Sequence, residues 1–67
     1  MPKYDYRFLD LTDKVAMVEF IEHDGDGAAE AHANVLLHRH TYYAIEVWHS
    51  GRRVHRAQKP RGSPLVR

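Results

Sequence analysis

The chain has 67 residues, 43% of them hydrophobic and 28% charged, with a formal net charge of +1 and a mean hydropathy of -0.61. That length admits one domain at most, which excludes two-lobed enzymes and dinucleotide-binding folds, while the composition is that of a folded globular chain. The absence of cysteine removes disulfides and cysteine-containing zinc sites, so a core this small must find support in a histidine-bound metal or in another subunit.

In chain order, Tyr4 to Leu11 and Val15 to Glu22 are rich in aromatic and β-branched residues and read as two strands. Thr12, Asp13 and Lys14 form a short polar turn between them, which predicts a hairpin. A three-residue loop sets Phe8 against Val18, Tyr6 against Phe20, Arg7 against Glu19 and Leu9 against Met17. The stretch from His23 to Gly27 breaks the pattern. A helix follows from about Asp26 to Arg39, dense in Ala, Leu and Glu, with Asp26 or Gly27 as the expected N-cap. Acidic residues lie near its start and Arg39 near its end, as the helix dipole favours. Ala29, Ala33, Leu36 and Leu37 share one side, and the alanines let the helix lie close to a sheet.

From Thr41 to Lys59, Tyr43, Ile45 and Val47 alternate with Tyr42, Ala44, Glu46 and Trp48, and a second alternating run follows Ser50-Gly51. A two-residue turn there pairs Val47 with Val54, Trp48 with Arg53 and Glu46 with His55. The whole is an α+β chain of ββαββ order. Residues 1–59 make one domain with a four-stranded, mainly antiparallel sheet and one helix on one face, and residues 60–67 make a flexible basic tail.

The net charge hides a segregation. Residues 1–50 carry nine acidic and four basic groups, a net of -5, and residues 51–67 carry six basic groups and no acidic one. No apolar run approaches the ~18 residues of a membrane span, and Met1 to Asp5 lack the apolar core of a signal peptide, so the expected setting is the cytoplasm.

Candidate chemistry is sparse. Glu22, Asp24, Asp26 and Gly27 imitate the first half of a calcium loop, but Ala33 stands where the closing Glu is needed. Gly25-Asp26-Gly27 starts like a phosphate loop among carboxylates that would repel phosphate. His38 and His40 differ by about 200° around a helix and cannot share one ion. Neither metal nor cofactor is expected. The inventory of nucleophiles is Ser50, Ser63, Thr12 and Thr41, and no base is aimed at Ser50 in its tight turn, so no catalytic residues are expected either.

Two functions remain. One helix covers only one face of a four-stranded sheet, and these registers leave Leu9, Leu11, Val15, Met17, Ile21, Tyr42 and Trp48 on the other, more apolar surface than suits a monomer. The first expectation is a small protein-interaction module, self-associating as a homodimer through Leu9, Leu11, Met17, Tyr42 and Trp48 or binding an unknown protein partner. The alternative is weak nucleic-acid binding through Arg52, Arg53, Arg56, Lys59 and Arg61, with Tyr42 and Trp48 for stacking. The segments Tyr6-Arg7-Phe8, the Ala-rich helix ending in Leu36-Leu37, Ile45-Glu46-Val47-Trp48, and Ser50-Gly51-Arg52 with Val54 together resemble small uncharacterised bacterial single-domain proteins. That resemblance covers most of residues 4–57. It implies a ββαββ fold and a bacterial cytosolic setting, with no functional residues to carry over.

Overall fold

The computed structural model of the protein describes residues 1–60. Its elements are β1 (Lys3–Leu9), β2 (Val15–Glu22), α1 (Asp26–Arg39), β3 (Ala44–His49) and β4 (Arg52–Gln58). The strands form one antiparallel sheet in the order β2-β1-β3-β4, and α1 packs on one face of it, giving the expected α+β fold of ββαββ order. Apart from Pro60, the expected tail lies outside the described residues. Sequence leaves the strand order open. In the structure the chain returns from α1 beside β1, so the strand bearing Tyr4, Tyr6 and Phe8 becomes internal and β2 and β4 become the edges.

The core lies between α1 and the sheet. Tyr4, Tyr6 and Phe8 of β1, Ile45 and Val47 of β3 and Ala57 of β4 meet Ala29, Ala33 and Leu37, whose four-residue spacing lines one helical face. Two tyrosine hydroxyls tie the helix down: Tyr6 donates to the Ala29 carbonyl at 2.8 Å and Tyr4 to Asp26 Oδ1 at 2.7 Å. Burial, with the neighbouring Tyr4 adding to it, pushes the Tyr6 hydroxyl up to about 12. The N-cap is Gly25, not Asp26 or Gly27, and no side chain caps the helix. Asp26 is instead the first helical residue, where its carboxylate accepts from Tyr4.

The first hairpin corrects the expected register by one residue. Phe8 pairs with Met17, Arg7 with Val18, Tyr6 with Glu19 and Asp5 with Phe20. The cause is Asp10, whose Oδ1 accepts from the Thr12 backbone N–H at 2.8 Å, the Thr12 hydroxyl at 2.6 Å and the Lys14 N–H at 3.1 Å. This is an Asx-type turn, and these bonds, that from the Thr12 hydroxyl foremost, hold the Asp10 carboxyl below its usual range. It widens the loop to residues 10–14 and puts Asp13 at φ 64°. A bulge at Ala16, where Leu9 already pairs with Val15, absorbs the remaining residue. A one-residue slip exchanges the faces of a strand. Met17 and Ile21 therefore pack against the core cluster on the helix side, and Val18 and Phe20 stand on the uncovered side.

The second hairpin turns where expected. Ser50 at φ 53° and Gly51 at φ 75° make a two-residue turn of the kind whose twist suits a hairpin. Trp48 pairs with Arg53 as predicted. A bulge at Val54 then replaces the other two expected pairs: Val47 meets His55, Glu46 meets Arg56, and Val54 packs against the core. β3 also begins only at Ala44, so the alternation expected for Tyr42 and Tyr43 does not hold. Tyr42 lies against Phe8, its ring centroid 5.4 Å away, and Tyr43 clusters with Leu9 and Ala44.

Candidate interaction surface

The sheet face opposite α1 is built of three cross-strand rows. From β2 to β4 these are Phe20, Asp5, Trp48, Arg53; then Val18, Arg7, Glu46, Arg56; then Val15, Leu9, Ala44, Gln58. Alternation along each strand brings them to one side.

The β3–β4 half of this face is a charged network centred on Glu46. Its carboxylate accepts from Trp48 Nε1 at 3.1 Å, Arg53 Nη1 at 3.1 Å and Arg56 Nη1 at 2.6 Å. Burial alone would push the Glu46 carboxyl up, but these hydrogen bonds outweigh it and hold the group below its usual range. Arg56 also reaches Asp13 Oδ1 at 2.9 Å, which anchors the first turn to β4. The Arg7 guanidinium lies 4.4 Å from the centre of the Trp48 ring, a cation–π contact that covers the indole from within the chain. Arg53, the cross-strand partner of Trp48, bonds Glu46.

The β2 half is different. Phe20 is 64% exposed, Val15 52%, Val18 42% and the turn residue Leu11 67%. The backbone of α1 lies over β3 and β4, so β2, beyond β1, sits at the margin of its cover. All eight residues of β2 are exposed or half-buried.

Of the residues expected at an interaction surface, only Leu11 is largely exposed. Leu9 is buried with Tyr43 and Ala44, Met17 and Tyr42 pack toward the core on the helix side, and Trp48 is half-buried beside Arg7. Val18 and Phe20 were missed as surface residues because the expected register turned them inward. The signal that would have found them is Asp10 two residues before Thr12, an Asx-turn pattern.

The basic candidates are engaged within the fold. Arg52 lies 3.9 Å from Asp26, Arg53 and Arg56 bond Glu46, and Lys59 Nζ donates to the His40 carbonyl at 2.6 Å. Arg61 lies outside the described residues.

Two further features stand apart from the sheet face. His23 Nε2 and His32 Nδ1 are 3.1 Å apart and link the end of β2 to α1, next to the Tyr6 ring. Burial, and after it the charge of His23, hold the His32 imidazole below its ordinary value. Among the described residues no three His, Asp or Glu side chains gather as a metal site. A cleft of about 430 Å³ lies where the first turn meets the chain before β3 and after β4, with Asp10, Leu11, Thr41, Tyr42, Tyr43, Lys59 and Pro60 on its walls. No described helix is long and apolar enough to cross a membrane.

Comparison of the chain with protein-family models, with curated proteins and with solved structures gives no match.

Proposed function

We propose that this chain is a small protein-interaction module, without catalysis of its own, that associates with a second copy of itself through the β2 flank of the sheet. The observation that carries this reading is the strip of Val15, Val18 and Phe20 exposed on the face of edge strand β2 that lies opposite α1. Apolar side chains exposed along a whole edge strand are the surfaces that association removes from water. The other half of the face argues for the flank over the centre, because stacking two such faces would strip water from Glu46, Arg53 and Arg56.

A standard interface takes roughly 800 Å² from each partner. That is just under a fifth of this chain's 4344 Å², whereas the apolar part of the β2 flank is three exposed side chains, Val15, Val18 and Phe20, with Leu11 in the adjoining turn. A weak, reversible dimer in the micromolar range is the expected result. Sedimentation velocity across that range should show the mass rising from 7.8 kDa toward twice that value. A mass that stays at 7.8 kDa at the highest concentrations reached would end this reading.

Nucleic-acid binding through the second hairpin is the weaker reading. It requires Arg52, Arg53 and Arg56 to leave the carboxylates they already hold. It would show as mobility shifts that vanish with salt.

A further inference from the structure

We infer that the two copies join edge to edge: their β2 strands pair antiparallel about a two-fold axis at Val18, merging two four-stranded sheets into one of eight. This rests on the self-association proposed above and adds its geometry.

The two edges of the sheet are unlike. β4 carries Arg52, Arg53 and Arg56 and a bulge at Val54, the usual protection against unwanted strand pairing. β2 has neither proline nor glycine and no basic residue from Val15 to Glu22, and its own bulge, at Ala16, leaves the run from Met17 to Glu22 regular. Its outer backbone groups are the free side of an edge strand.

Registry follows from facing and charge. A two-fold axis normal to the sheet keeps both helices on one side and sets residues of equal facing opposite each other, so some residue must face its own copy. Centred on Glu19, the pairing opposes two carboxylates. On Phe20, it sets Val18 against the second copy's Glu22 and uses only residues 18–22. On Met17, the Ala16 bulge lies beside the axis in both copies, one residue away and not the two that centring on Val18 leaves. Centred on Val18, valine meets valine, Phe20 lies over the small Ala16, and Glu19 faces Met17.

The chain has no cysteine, so single substitutions report distance without background. In a glutathione redox buffer Val18→Cys should form a disulfide dimer several-fold faster than Glu19→Cys, whose two copies would lie diagonally beyond disulfide reach. A mixture of Met17→Cys and Glu19→Cys should yield the mixed dimer. Both side chains project on the helix side, where stacking of the uncovered faces cannot bring them together. Wild-type amide exchange in β2 should slow as concentration rises while that in β4 does not, and this measurement needs no substitution at the half-buried Met17. A faster Glu19→Cys reaction, or a dimer by mass with no slowing in β2, overturns the edge pairing while self-association stands. A monomer at every concentration ends both.

Discussion

Phe20→Ser is the sharpest perturbation of the proposed surface, because the monomer hardly uses this ring and the dimer should. An aromatic side chain presents about 150–250 Å², of which 64% remains exposed here, or roughly 100–160 Å² per protomer. At about 25 cal/mol per Å² full cover would be worth about 2.5–4 kcal/mol per ring, and a symmetric dimer contains two rings. If edge pairing covers half of each, the dimer loses about 2.5–4 kcal/mol, a weakening of roughly 100- to 1000-fold. The monomer should lose no more than about 1 kcal/mol, the span of strand propensity at an exposed site. Sedimentation velocity reads the first number and urea denaturation at low concentration the second. The reasoning is refuted if the variant dimerises as tightly as the parent chain. It is equally refuted if the monomer loses the 3–5 kcal/mol typical of truncating a buried aromatic residue.

The remaining predictions concern the supports of this surface. His32 is held below its ordinary 6.5 by burial and His23, with Arg39 adding to the shift and Glu19 opposing it, so the folded state binds fewer protons than the unfolded chain. Stability should fall as pH drops through that value, and His32→Gln should flatten the slope of Tm against pH below 7; an unchanged slope would exclude His32 as the cause. Tyr6→Phe removes the bond to the Ala29 carbonyl and should cost about 1 kcal/mol, a fall in Tm of roughly 4–8 °C. In the parent chain, stability should be lost as pH rises from the ordinary tyrosine value of 10 toward 12, because the folded state keeps the Tyr6 proton longer, and the variant should show a shallower alkaline limb, the remainder belonging to Tyr4, which its hydrogen bond to Asp26 also raises. Glu46→Gln leaves Arg53 and Arg56 without their shared carboxylate and should destabilise by about 1–3 kcal/mol at neutral pH in urea. Because the folded Glu46 titrates below its ordinary 4.5, the deficit should shrink as pH falls through that value.

Much of the fold was legible residue by residue. The helix limits follow from a run of Ala, Leu and Glu that begins after two glycines and ends in Arg39, and the structure keeps both limits. Ser50-Gly51 announces its turn because a glycine tolerates positive φ there. The candidate surface was legible only in outline, as a face that one helix cannot cover. Its residues were not, since they depend on the three hydrogen bonds that Asp10 accepts and on two bulges, each of which moves a strand by one residue against its neighbour. Glu46 was visible as a charge expected opposite His55, but the guanidinium that stands there instead, that of Arg56, was settled by the bulge at Val54.

By itself the sequence determined what periodicity and composition control: five elements in ββαββ order, alanines on the buried side of the helix, and an acidic body followed by a basic second hairpin and tail. Tertiary structure decided which strand lies inside and which face each side chain takes. Placing β1 between β2 and β3 buries Tyr4, Tyr6 and Phe8 and leaves β2 at the margin. Side chains in a strand repeat every two residues, so a loop wider than expected and a bulge beside it were enough to turn Met17 inward and Phe20 out.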